Sequence, residues 1–268
     1  MSFVRASVAD EFVPSSESTQ GLLRSELLGQ IEGIVHGFTT RVGGVSPSPC
    51  ASLNVGRKIG DSPKVVNENR RRALNLLGIS EHRWISLTQV HGSEVVEVTP
   101  NANKGIQADG LWTRYSQVAL AVTVADCVPL LFAHRSGKAV AAVHAGWRGT
   151  VAKIGAQMVE RFAKAGFLAK DVVVSMGPAI GPCCFEVGPD VQAAISEAFP
   201  SANFLAPTPN GKAFVDLWEL NRIGLEQAGI LSAQIDILER CTFCGTEFFS
   251  YRREQGRTGR QCGLIARV

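Results

Sequence analysis

Two histidines and one cysteine stand where apolar runs end, and their side chains are of the kind that hold transition metals. His91 closes "SLTQVHG", His144 closes "KAVAAVH", and Cys127 lies within "VADCVPLLF". Two imidazoles and a thiolate form a three-ligand set, which leaves the fourth position of a zinc ion open for water or substrate. Two other interpretations stay open at this point: Cys127 as a nucleophile with a histidine base, and all three as ordinary core or strand-end residues.

The apolar segments around these residues predict the strands that position them. Periodicity and composition predict strands at 84–90, 94–98, 118–124, 128–133, 138–144, 171–177 and 262–268. His91, Cys127 and His144 then fall at strand ends, where a rigid element holds a ligand in place.

Helix signals separate these strands at four places. Helices are predicted at 63–77, 189–199 and 216–228, and a fourth is predicted to run from Thr150 to about Gly166. Threonine is a residue type that caps helix N-termini, so Thr150 is interpreted as the N-cap. Strands that cluster with helices between them, without strict alternation, predict an α+β protein.

Two glycine-containing loops carry donors that suit an anion. In "HAGWRGT", Arg148 stands just before the predicted helix, and a helix N-terminus beside a guanidinium can bind an anion. The alternative is a tight turn packed on Trp147. In "FTTRVGGVSPSP", Arg41 and Ser46 are phosphate-binding candidates, although no Walker loop is present.

The remaining cysteines and acids carry weaker signals. Cys241 and Cys244 have CxxC spacing, but no second pair follows, so a structural or incidental role is expected and a zinc ribbon is not. Cys183 and Cys184 are neighbours whose thiols would point to opposite sides of an extended chain, so they are not expected to share a site. Glu186 is a candidate proton carrier. The basic segment "SYRREQGRTGRQ" is interpreted as a solvated loop in preference to a contact with a substrate anion.

Composition and charge restrict the class of protein. The chain has 268 residues, of which 45% are hydrophobic, and can form one large domain or two small ones. A net charge of +3 predicts no nucleic-acid partner. No apolar run reaches the roughly 18 residues that span a bilayer, and Asp10 and Glu11 interrupt any signal peptide. A cytoplasmic location is expected, where the seven cysteines are thiols, ligands or nucleophiles and not a disulfide framework.

Taken together, the motifs of this chain resemble those of the YfiH-type laccase-domain family. From about residue 34 the chain carries, in family order, "HGFTTRVGGVS", "SLNVG", "TQVHG", "QADG", "TVADCVPLLF", "AAVHAGWRGT", "GPAIGPCCFEVG", "DLWELNR" and "FFSYRREQGRTGR". Two positions depart from the usual pattern: Cys50 stands where an aromatic residue is common, and Gly110 where alanine is frequent. Neither is a metal-ligand position of the family.

The resemblance implies a fold and a set of ligands. It implies His91, Cys127 and His144 as the metal ligands. It also implies one α+β domain over residues 1–268, with packed mixed β-sheets flanked by helices, similar to the cytotoxic-necrotizing-factor and YfiH folds. Residues 1–30 are expected to be a peripheral N-terminal segment.

The family carries two functional labels, multicopper polyphenol oxidase and purine nucleoside phosphorylase. A laccase needs a blue-copper site and a separate copper cluster held by many further imidazoles, and five histidines cannot supply both. Zinc is therefore expected, with copper as the alternative metal and a copper-loaded polyphenol oxidase as an alternative function. The implied activity is phosphorolysis of adenosine, inosine, guanosine and methylthioadenosine, with adenosine deamination as a second reaction. Zinc deaminases use a related set of histidine and cysteine ligands.

Residue roles under this implied activity are hypotheses. The catalytic candidates are Cys127, Asp126, Asp109 and Glu186, and the phosphate-binding candidates are Arg41, Ser46 and Arg148. The carboxylates would move protons to or from the base, and the arginines would hold phosphate near the sugar. The expected partners are purine nucleosides and phosphate, without nucleic acid or membrane, and the oligomeric state is left open.

Two further functions remain as alternatives. One is a cysteine hydrolase in which Cys127 attacks a carbonyl group of cell-wall precursor peptides while His144 or His91 acts as the base. The other is a non-catalytic protein that binds a metal or a partner. Metal content distinguishes the first of these from the zinc enzyme.

Overall fold

The chain folds into fourteen strands and six α-helices, and the computed structural model describes it over residues 21–57, 59–102, 105–200 and 205–268. In chain order the elements of the first half are β1 (Leu22–Leu23), α1 (Glu26–Gly29), β2 (Ile34–Thr39), α2 (Pro63–Leu76), β3 (Arg83–Ile85), β4 (Val95–Glu97), β5 (Gly110–Thr113), β6 (Val118–Val124), β7 (Val128–His134) and β8 (Val140–Ala145). Those of the second half are α3 (Trp147–Val151), α4 (Ile154–Lys164), β9 (Val172–Met176), β10 (Glu186–Val187), α5 (Pro189–Ala198), β11 (Leu205–Pro207), β12 (Ala213–Val215), α6 (Leu217–Gln227), β13 (Ile235–Ile237) and β14 (Gln261–Arg267).

Two large mixed sheets form the centre of the molecule. One has the order β1-β2-β14-β6-β3 and the other β13-β9-β7-β8-β5-β4. Most neighbouring strands are antiparallel, but β3 runs parallel to β6, β4 to β5, and β13 to β9. A small antiparallel sheet, β10-β12-β11, lies apart from both.

The two large sheets pack face to face, and helices cover their outer faces. Leu120 of β6 and Leu131 of β7 belong to the cluster between the sheets. On the far side of the six-stranded sheet, Leu130 and Phe132 of β7 pack with α4 and α6. On the far side of the five-stranded sheet, α2 packs against β6 and β14. The prediction of a single α+β domain with packed mixed sheets and outer helices is confirmed.

Burial on both faces explains the continuous apolar run of the opening motif. In β7, successive side chains point alternately to the helices and to the other sheet, so every position is enclosed by apolar partners. The strand is accordingly buried from Val128 to Ala133. Its neighbour β6 is likewise buried on both sides, with small alanines facing α2.

Three of the four predicted helices form with nearly the expected bounds. α2 starts at Pro63, which follows the N-cap Ser62, and stops before Gly78, which has a φ of 71°. α5 also begins with proline, and the Asp216 side chain caps α6 by accepting the Glu219 N–H. These are local signals that act through fixed φ angles or orphan N–H groups.

The helix expected to begin at Thr150 is instead two helices. α3 begins after the N-cap Gly146, and Lys153, with a left-handed φ of 54°, separates it from α4. Thr150 lies inside α3, where its Oγ1 accepts a hydrogen bond from the Asn221 amide at 2.9 Å. The interpretation of Thr150 as an N-cap is therefore wrong, because a tertiary contact uses its hydroxyl.

Several strands differ from their predicted extent. The segment predicted at 84–90 is a strand only in β3, and 86–90 is irregular apart from a bridge between Thr88 and Gln107. β2 and β5 lie inside the two large sheets and were not predicted, because glycine interrupts or begins them.

The expectation of a peripheral segment at 1–30 is wrong for its described part. Leu22 and Leu23 pair with β2 as an edge strand, and Leu28 of α1 is fully buried between the sheets. Residues 1–20 lie outside the described residues. Among the helices of the described chain, none is long and apolar enough to cross a membrane.

Candidate metal centre

The three expected ligands converge where β6 ends, β7 begins and β8 ends. His91 lies in the irregular segment after β3 and has a positive φ of 57°. Cys127 lies in the short link from β6 to β7, and His144 is in β8, opposite Pro129 of β7. The ligand nitrogen and sulfur atoms all lie within 4.8 Å of one another. His91 is exposed, Cys127 is half-buried and His144 is buried, so the trio opens to one side.

One buried carboxylate orients both histidines. Asp109 Oδ1 accepts the His91 backbone N–H at 3.0 Å and lies 2.8 Å from His144 Nδ1. Its Oδ2 accepts the backbone N–H groups of Val90 and Gly92 at 3.1 and 2.7 Å. Because Nδ1 of His144 is engaged with Asp109, Nε2 faces the trio. A carboxylate behind a ligating histidine fixes the tautomer and ring orientation in metal sites.

Asp109 remains ionised in this position. Burial alone would raise its pKa, but the hydrogen bonds from His144 and from the Gly92 N–H lower it below its usual value. The carboxylate is completely enclosed, with an exposed fraction of 0%. With every oxygen engaged by donors, it is suited to hold the ligands and not to exchange protons with a substrate.

The link that carries Cys127 is held by its neighbour Asp126. Asp126 has a φ of 92°, a left-handed conformation that a non-glycine residue adopts only when other contacts impose it. Its Oδ1 accepts the Thr242 hydroxyl and its Oδ2 the Arg252 backbone N–H, each at 2.7 Å. Its carbonyl oxygen accepts the Ile180 N–H. These bonds turn the chain so that Cys127 meets the two histidines.

Electrostatics favour a charged thiolate in the trio. Burial would raise the pKa of Cys127, but the attraction of His144 and hydrogen bonds with His144 and His91 lower it to about 6. Burial would lower the pKa of His144, but the Cys127 charge and the Asp109 hydrogen bond raise it to about 9. The two groups thus stabilise each other's charged forms, a thiolate and an imidazolium. Metal binding would displace the proton from His144, as it does wherever ligands must be deprotonated.

The donor set and the space around it fit a metal ion. Two imidazoles and a thiolate suit zinc or copper better than magnesium or calcium, which prefer oxygen ligands. Gly146 leaves room for the site, since an added Cβ would lie 3.1 Å from Cys127 Sγ and 3.3 Å from His91 Cδ2. A side chain at this position would press on two of the three ligands.

The open side of the trio faces a cavity of about 880 Å³. Its wall includes His91, Cys127, His144 and Asp126. Further along, the lining is both cationic and aromatic, with Arg57, Arg70, Arg83, Arg252, Arg260, Trp84, Phe185 and Tyr251. A cavity of this size accommodates a nucleoside-sized molecule.

Arg260 is the arginine most closely coupled to the trio. Burial lowers its pKa, and the charges of Cys127, Tyr251 and Asp126 oppose that shift. Its guanidinium lies 5.6 Å from the centre of the Tyr251 ring and donates to the carbonyls of Thr258 and Gly259. A half-buried guanidinium in the wall of the same cavity is of the kind that binds anions.

Two other cavity arginines are also held on aromatic rings. Arg70 lies 5.0 Å from the Trp84 ring, and Arg252 lies 5.5 Å from the Phe185 ring. Arg252 and Arg260 belong to the segment interpreted as a solvated basic loop; Arg252 is exposed, as that interpretation expects, whereas Arg260 is half-buried, and both line the cavity. No local pattern separates these two from Arg253, which instead donates to backbone carbonyls of Thr242, Phe243, Gly245 and Phe248.

The residues expected to bind phosphate lie elsewhere. Arg41 pairs with Glu254 at 2.8 Å and lies over the Phe249 ring. The Ser46 hydroxyl donates to Asp61 at 2.6 Å. Neither residue is among the described residues that line the cavity.

Arg148 and Glu186 are also outside this lining. The Arg148 guanidinium lies 4.3 Å from the centre of the Trp147 ring, in a helix of only five residues. Glu186 pairs with Lys212 at 2.9 Å, and its carbonyl oxygen accepts a bond from Arg252.

A second cluster of ligands contradicts the expectation that Cys183 and Cys184 do not share a site. The Sγ atoms of Cys183, Cys184, Cys241 and Cys244 lie within 4.8 Å of one another. Residues 182–184 form a turn and not an extended strand, so neighbouring thiols can approach a common point. The partner of the CxxC pair precedes it in the chain by about 60 residues, which is why the spacing of the motif did not reveal it.

Comparisons with known proteins add the family context. The family described as "Multi-copper polyphenol oxidoreductase laccase" matches residues 35–268. The chain is similar to purine nucleoside phosphorylase YlmD of Geobacillus stearothermophilus, with 40% identity over 248 residues that cover 88% of this chain and 90% of that protein. It is similar to purine nucleoside phosphorylase YfiH of Escherichia coli, with 38% identity over 237 residues that cover 88% of this chain and 95% of that protein. The crystal structure of YlmD from Geobacillus stearothermophilus matches with a TM-score of 0.88 at 37% identity, covering 94% of this chain and 98% of that one.

Proposed function

We propose that this chain, which belongs to the YfiH-type laccase-domain family, is a zinc-dependent purine nucleoside phosphorylase. The same family is the one described as "Multi-copper polyphenol oxidoreductase laccase". The observation that carries the proposal is the cavity in which the His91, Cys127 and His144 trio meets arginines and aromatic rings. The proposed substrates are adenosine, inosine, guanosine and methylthioadenosine, together with phosphate. Adenosine deamination is proposed as a second reaction of the same cavity.

The cavity offers separate surfaces for the two substrates. In phosphorolysis an oxygen of phosphate bonds to C1′ of the ribose while the C1′–N9 bond breaks, and the base leaves with the electron pair. Arg252 and Arg260, which line the cavity, would hold the phosphate dianion and keep it oriented. The rings of Phe185 and Tyr251 would contact the purine.

The trio would hold the metal in the wall of this cavity. A bound zinc ion supplies a Lewis acid and can make a water molecule nucleophilic at neutral pH. Asp109 holds His91 and His144 in the ligating orientation, so its proposed role is positional. Of the three carboxylates considered as proton carriers, Asp126 lines the cavity, whereas Asp109 and Glu186 do not. Asp126 therefore remains the proposed proton-handling group, a role in which its Oδ1 would exchange the hydrogen bond from the Thr242 hydroxyl for one with the substrate.

The placement of the other histidines argues against a multicopper oxidase. His36 Nε2 accepts the Ser25 N–H, His82 Nε2 lies 3.0 Å from the Arg267 carbonyl, and His134 Nδ1 lies 2.8 Å from the Ser136 hydroxyl. None of them joins the trio or forms a second cluster with another histidine in the described chain. The imidazoles that a laccase needs for its copper cluster are thus not supplied.

A cysteine hydrolase is the second candidate, and one observation favours it. Asp109, His144 and Cys127 form a continuous chain of hydrogen bonds, and the pKa of Cys127 is lowered to about 6. This is the order of groups in a cysteine nucleophile with an oriented base. The same arrangement also suits a metal ligand with its supporting carboxylate, so metal content distinguishes the two functions.

The test combines a metal assay with product analysis. Purified protein is assayed for zinc and copper per chain and incubated with adenosine, with and without phosphate. We expect adenine and ribose 1-phosphate only with phosphate, inosine in either condition, and loss of all products in Cys127→Ser or after chelation. Metal-free protein whose activity disappears on thiol alkylation would instead favour the hydrolase. Stoichiometric zinc without turnover of any of the four nucleosides would reject the phosphorylase.

A further inference from the structure

Four cysteines from two distant segments form a second cluster of potential metal ligands. Cys183 and Cys184 lie in the turn before β10, and Cys241 and Cys244 lie in the loop that follows β13. The Cys244 Sγ is 3.7 Å from that of Cys183 and 3.4 Å from that of Cys184. All four sulfur atoms are within 4.8 Å of one another.

These distances match the geometry of one particular kind of site. A tetrahedral zinc ion with Zn–S bonds of about 2.3 Å places its sulfur ligands about 3.8 Å apart. A disulfide would require one S–S bond of about 2.05 Å, and the other two thiols would take no part in it. The separations of 3.7 and 3.4 Å from Cys244 Sγ are close to this value, so the four sulfur atoms are spaced as the ligands of one cation would be.

Backbone N–H groups surround the first cysteine of the CxxC pair. The Gly181 N–H donates to Cys241 Sγ at 3.3 Å, and the N–H groups of Phe243 and Cys244 also point to this sulfur. The Gly245 N–H closes the turn by donating to the Cys241 carbonyl. Amide donors of this kind stabilise negative charge on a sulfur ligand.

The backbone holds the two segments together independently of the thiols. Ala179 and Cys241 form a parallel bridge, in which the Thr242 N–H donates to the Ala179 carbonyl at 2.9 Å. Arg253 donates to three carbonyls of the loop, those of Thr242, Phe243 and Gly245. The cluster is thus built on a fixed frame and not on the chance approach of flexible side chains.

We propose that Cys183, Cys184, Cys241 and Cys244 bind a zinc ion as a four-thiolate structural site, separate from the His91, Cys127 and His144 trio. All four positions of the ion are filled by protein, as in structural zinc sites, so no position is left for substrate. The site would join the turn before β10 to the loop after β13. Both segments contact the cavity wall, because Phe185 follows the turn and Thr242 bonds to Asp126.

The test is a metal count on matched cysteine variants of the full chain, purified under reducing conditions. Cys241→Ser and Cys244→Ser are compared with Cys262→Ser, which removes a buried thiol outside both clusters that has the Thr39 hydroxyl 3.6 Å away. Cys127→Ser removes a ligand of the trio. We expect the Cys241 and Cys244 variants to hold about one zinc per chain less than Cys262→Ser, whatever metal the trio contains.

A second measurement keeps all four cysteines of the cluster in place. X-ray absorption on Cys127→Ser should show a zinc shell composed only of sulfur at about 2.3 Å. In the unmodified protein, a thiol-specific mercurial should release zinc at the same rate at which it modifies the exposed cysteines. Equal zinc in Cys241→Ser, Cys244→Ser and Cys262→Ser, or a Cys184–Cys244 disulfide in protein whose zinc is lost entirely in Cys127→Ser, would overturn the proposal. Either result leaves the phosphorylase assay unaffected, so the two proposals fail separately.

Discussion

At the scale of single residues, the candidate site depends on side chains that do not touch the substrate. Asp109 holds two ligands at once, through the backbone of His91 and the ring of His144. Asp126 holds the Cys127 link in a left-handed turn. The residues proposed to meet substrate, Arg252 and Arg260, come from one segment close to the C-terminus. Two predictions follow from this division between positioning and binding residues.

Replacing Asp109 by asparagine should weaken metal binding without removing a ligand. The amide would place a donor where four donors already converge, and His144 would lose the charge that orients its ring. We expect metal affinity to fall by about 10- to 100-fold, measured by competition with a chelator. Asp190→Asn, which changes an exposed carboxylate at the start of α5, is the matched control. Equal affinity in both variants would show that Asp109 has no such role.

Replacing Arg260 by glutamine should raise the KM for phosphate. Loss of a charge-assisted hydrogen bond costs about 1.5–3 kcal/mol, which corresponds to roughly 10- to 100-fold in KM. The metal content and the KM for adenosine should change little. Arg71→Gln, on the exposed face of α2, serves as the control. A phosphate KM that stays at the value of the control would rule out Arg260 as a phosphate ligand.

At the scale of elements, the site is a consequence of how strands end and how the chain turns between them. β6 belongs to one large sheet and β7 to the other, so the link carrying Cys127 crosses between sheets. β8 then delivers His144 beside β7, and Gly146 begins α3 immediately afterwards. These turns must be tight, because the ligands are only a few residues from the strand ends.

A methyl group at Gly146 should disturb the site although the backbone tolerates it. Gly146 has a φ of −71°, which any residue adopts, so the effect of Gly146→Ala comes from its Cβ alone. That atom would lie 3.1 Å from Cys127 Sγ. We expect weaker metal binding and at least a tenfold loss of turnover, with a melting temperature that nearly equals that of the wild type once both proteins are free of metal. Gly224→Ala, where an added Cβ meets nothing within 4 Å, is the control. Wild-type metal affinity in Gly146→Ala would contradict this.

The contact between β2 and α1 should make stability depend on pH. Burial and the charge of Arg24 lower the pKa of His36 to about 4, and its Nε2 accepts the Ser25 N–H at the start of α1. In the unfolded chain the pKa of His36 has its ordinary value of 6.5. As the pH falls below 6.5, the unfolded chain therefore protonates His36 before the folded chain does. The contribution of neutral His36 to the free energy of unfolding is thus fully present above pH 6.5. It declines between pH 6.5 and about pH 4, and does not change further below pH 4. The loss amounts to about 3 kcal/mol.

Two substitutions at His36 separate the proton from the hydrogen bond. His36→Gln keeps an acceptor for the Ser25 N–H, so its unfolding free energy should change less between pH 7 and pH 4 than that of the wild type. His36→Leu should show the same flattened pH dependence. It should also be less stable at every pH by about 1–3 kcal/mol, because a buried N–H is left unpaired. Urea titrations over this pH range provide the measurement, and a wild-type slope in both variants would exclude His36 as the source.

At the scale of the whole molecule, the trio joins the two sheets at one end. Cys127 connects β6 and β7, His144 belongs to the six-stranded sheet, and His91 follows β3 of the five-stranded sheet. A bound ion would therefore stabilise the packing of one sheet on the other. Removing it should weaken the global fold and not only the site.

Metal removal should accordingly lower the melting temperature. A ligand present at a thousand times its Kd stabilises the folded state by about 4 kcal/mol. We expect a chelator to reduce the unfolding free energy of the wild type by an amount of this order, and to have a smaller effect on Cys127→Ser, which lacks a ligand of the trio. The same chelator effect in both proteins would mean that the trio does not link the sheets through a metal.

The sequence by itself determined those features that have local causes. Pro63 and Gly78 bounded a helix through their backbone φ angles, and the apolar runs of β6 and β7 indicated buried strands. The ligand types of His91, Cys127 and His144 indicated a metal site before any contact was known. Family motifs in a fixed order then added the α+β fold, whose topology no periodicity could have supplied.

Only the tertiary structure decided which distant segments meet. It brought Arg260 into the cavity next to the trio, gave Asp109 its role behind both histidines, and gathered four cysteines separated by about 60 residues. It also drew Arg41 and Ser46 into pairs with Glu254 and Asp61, outside the cavity lining. The physical reason is the same in each case: a side chain's partner depends on how the sheets pack and where the links between strands turn. No pattern within a short window carries that information.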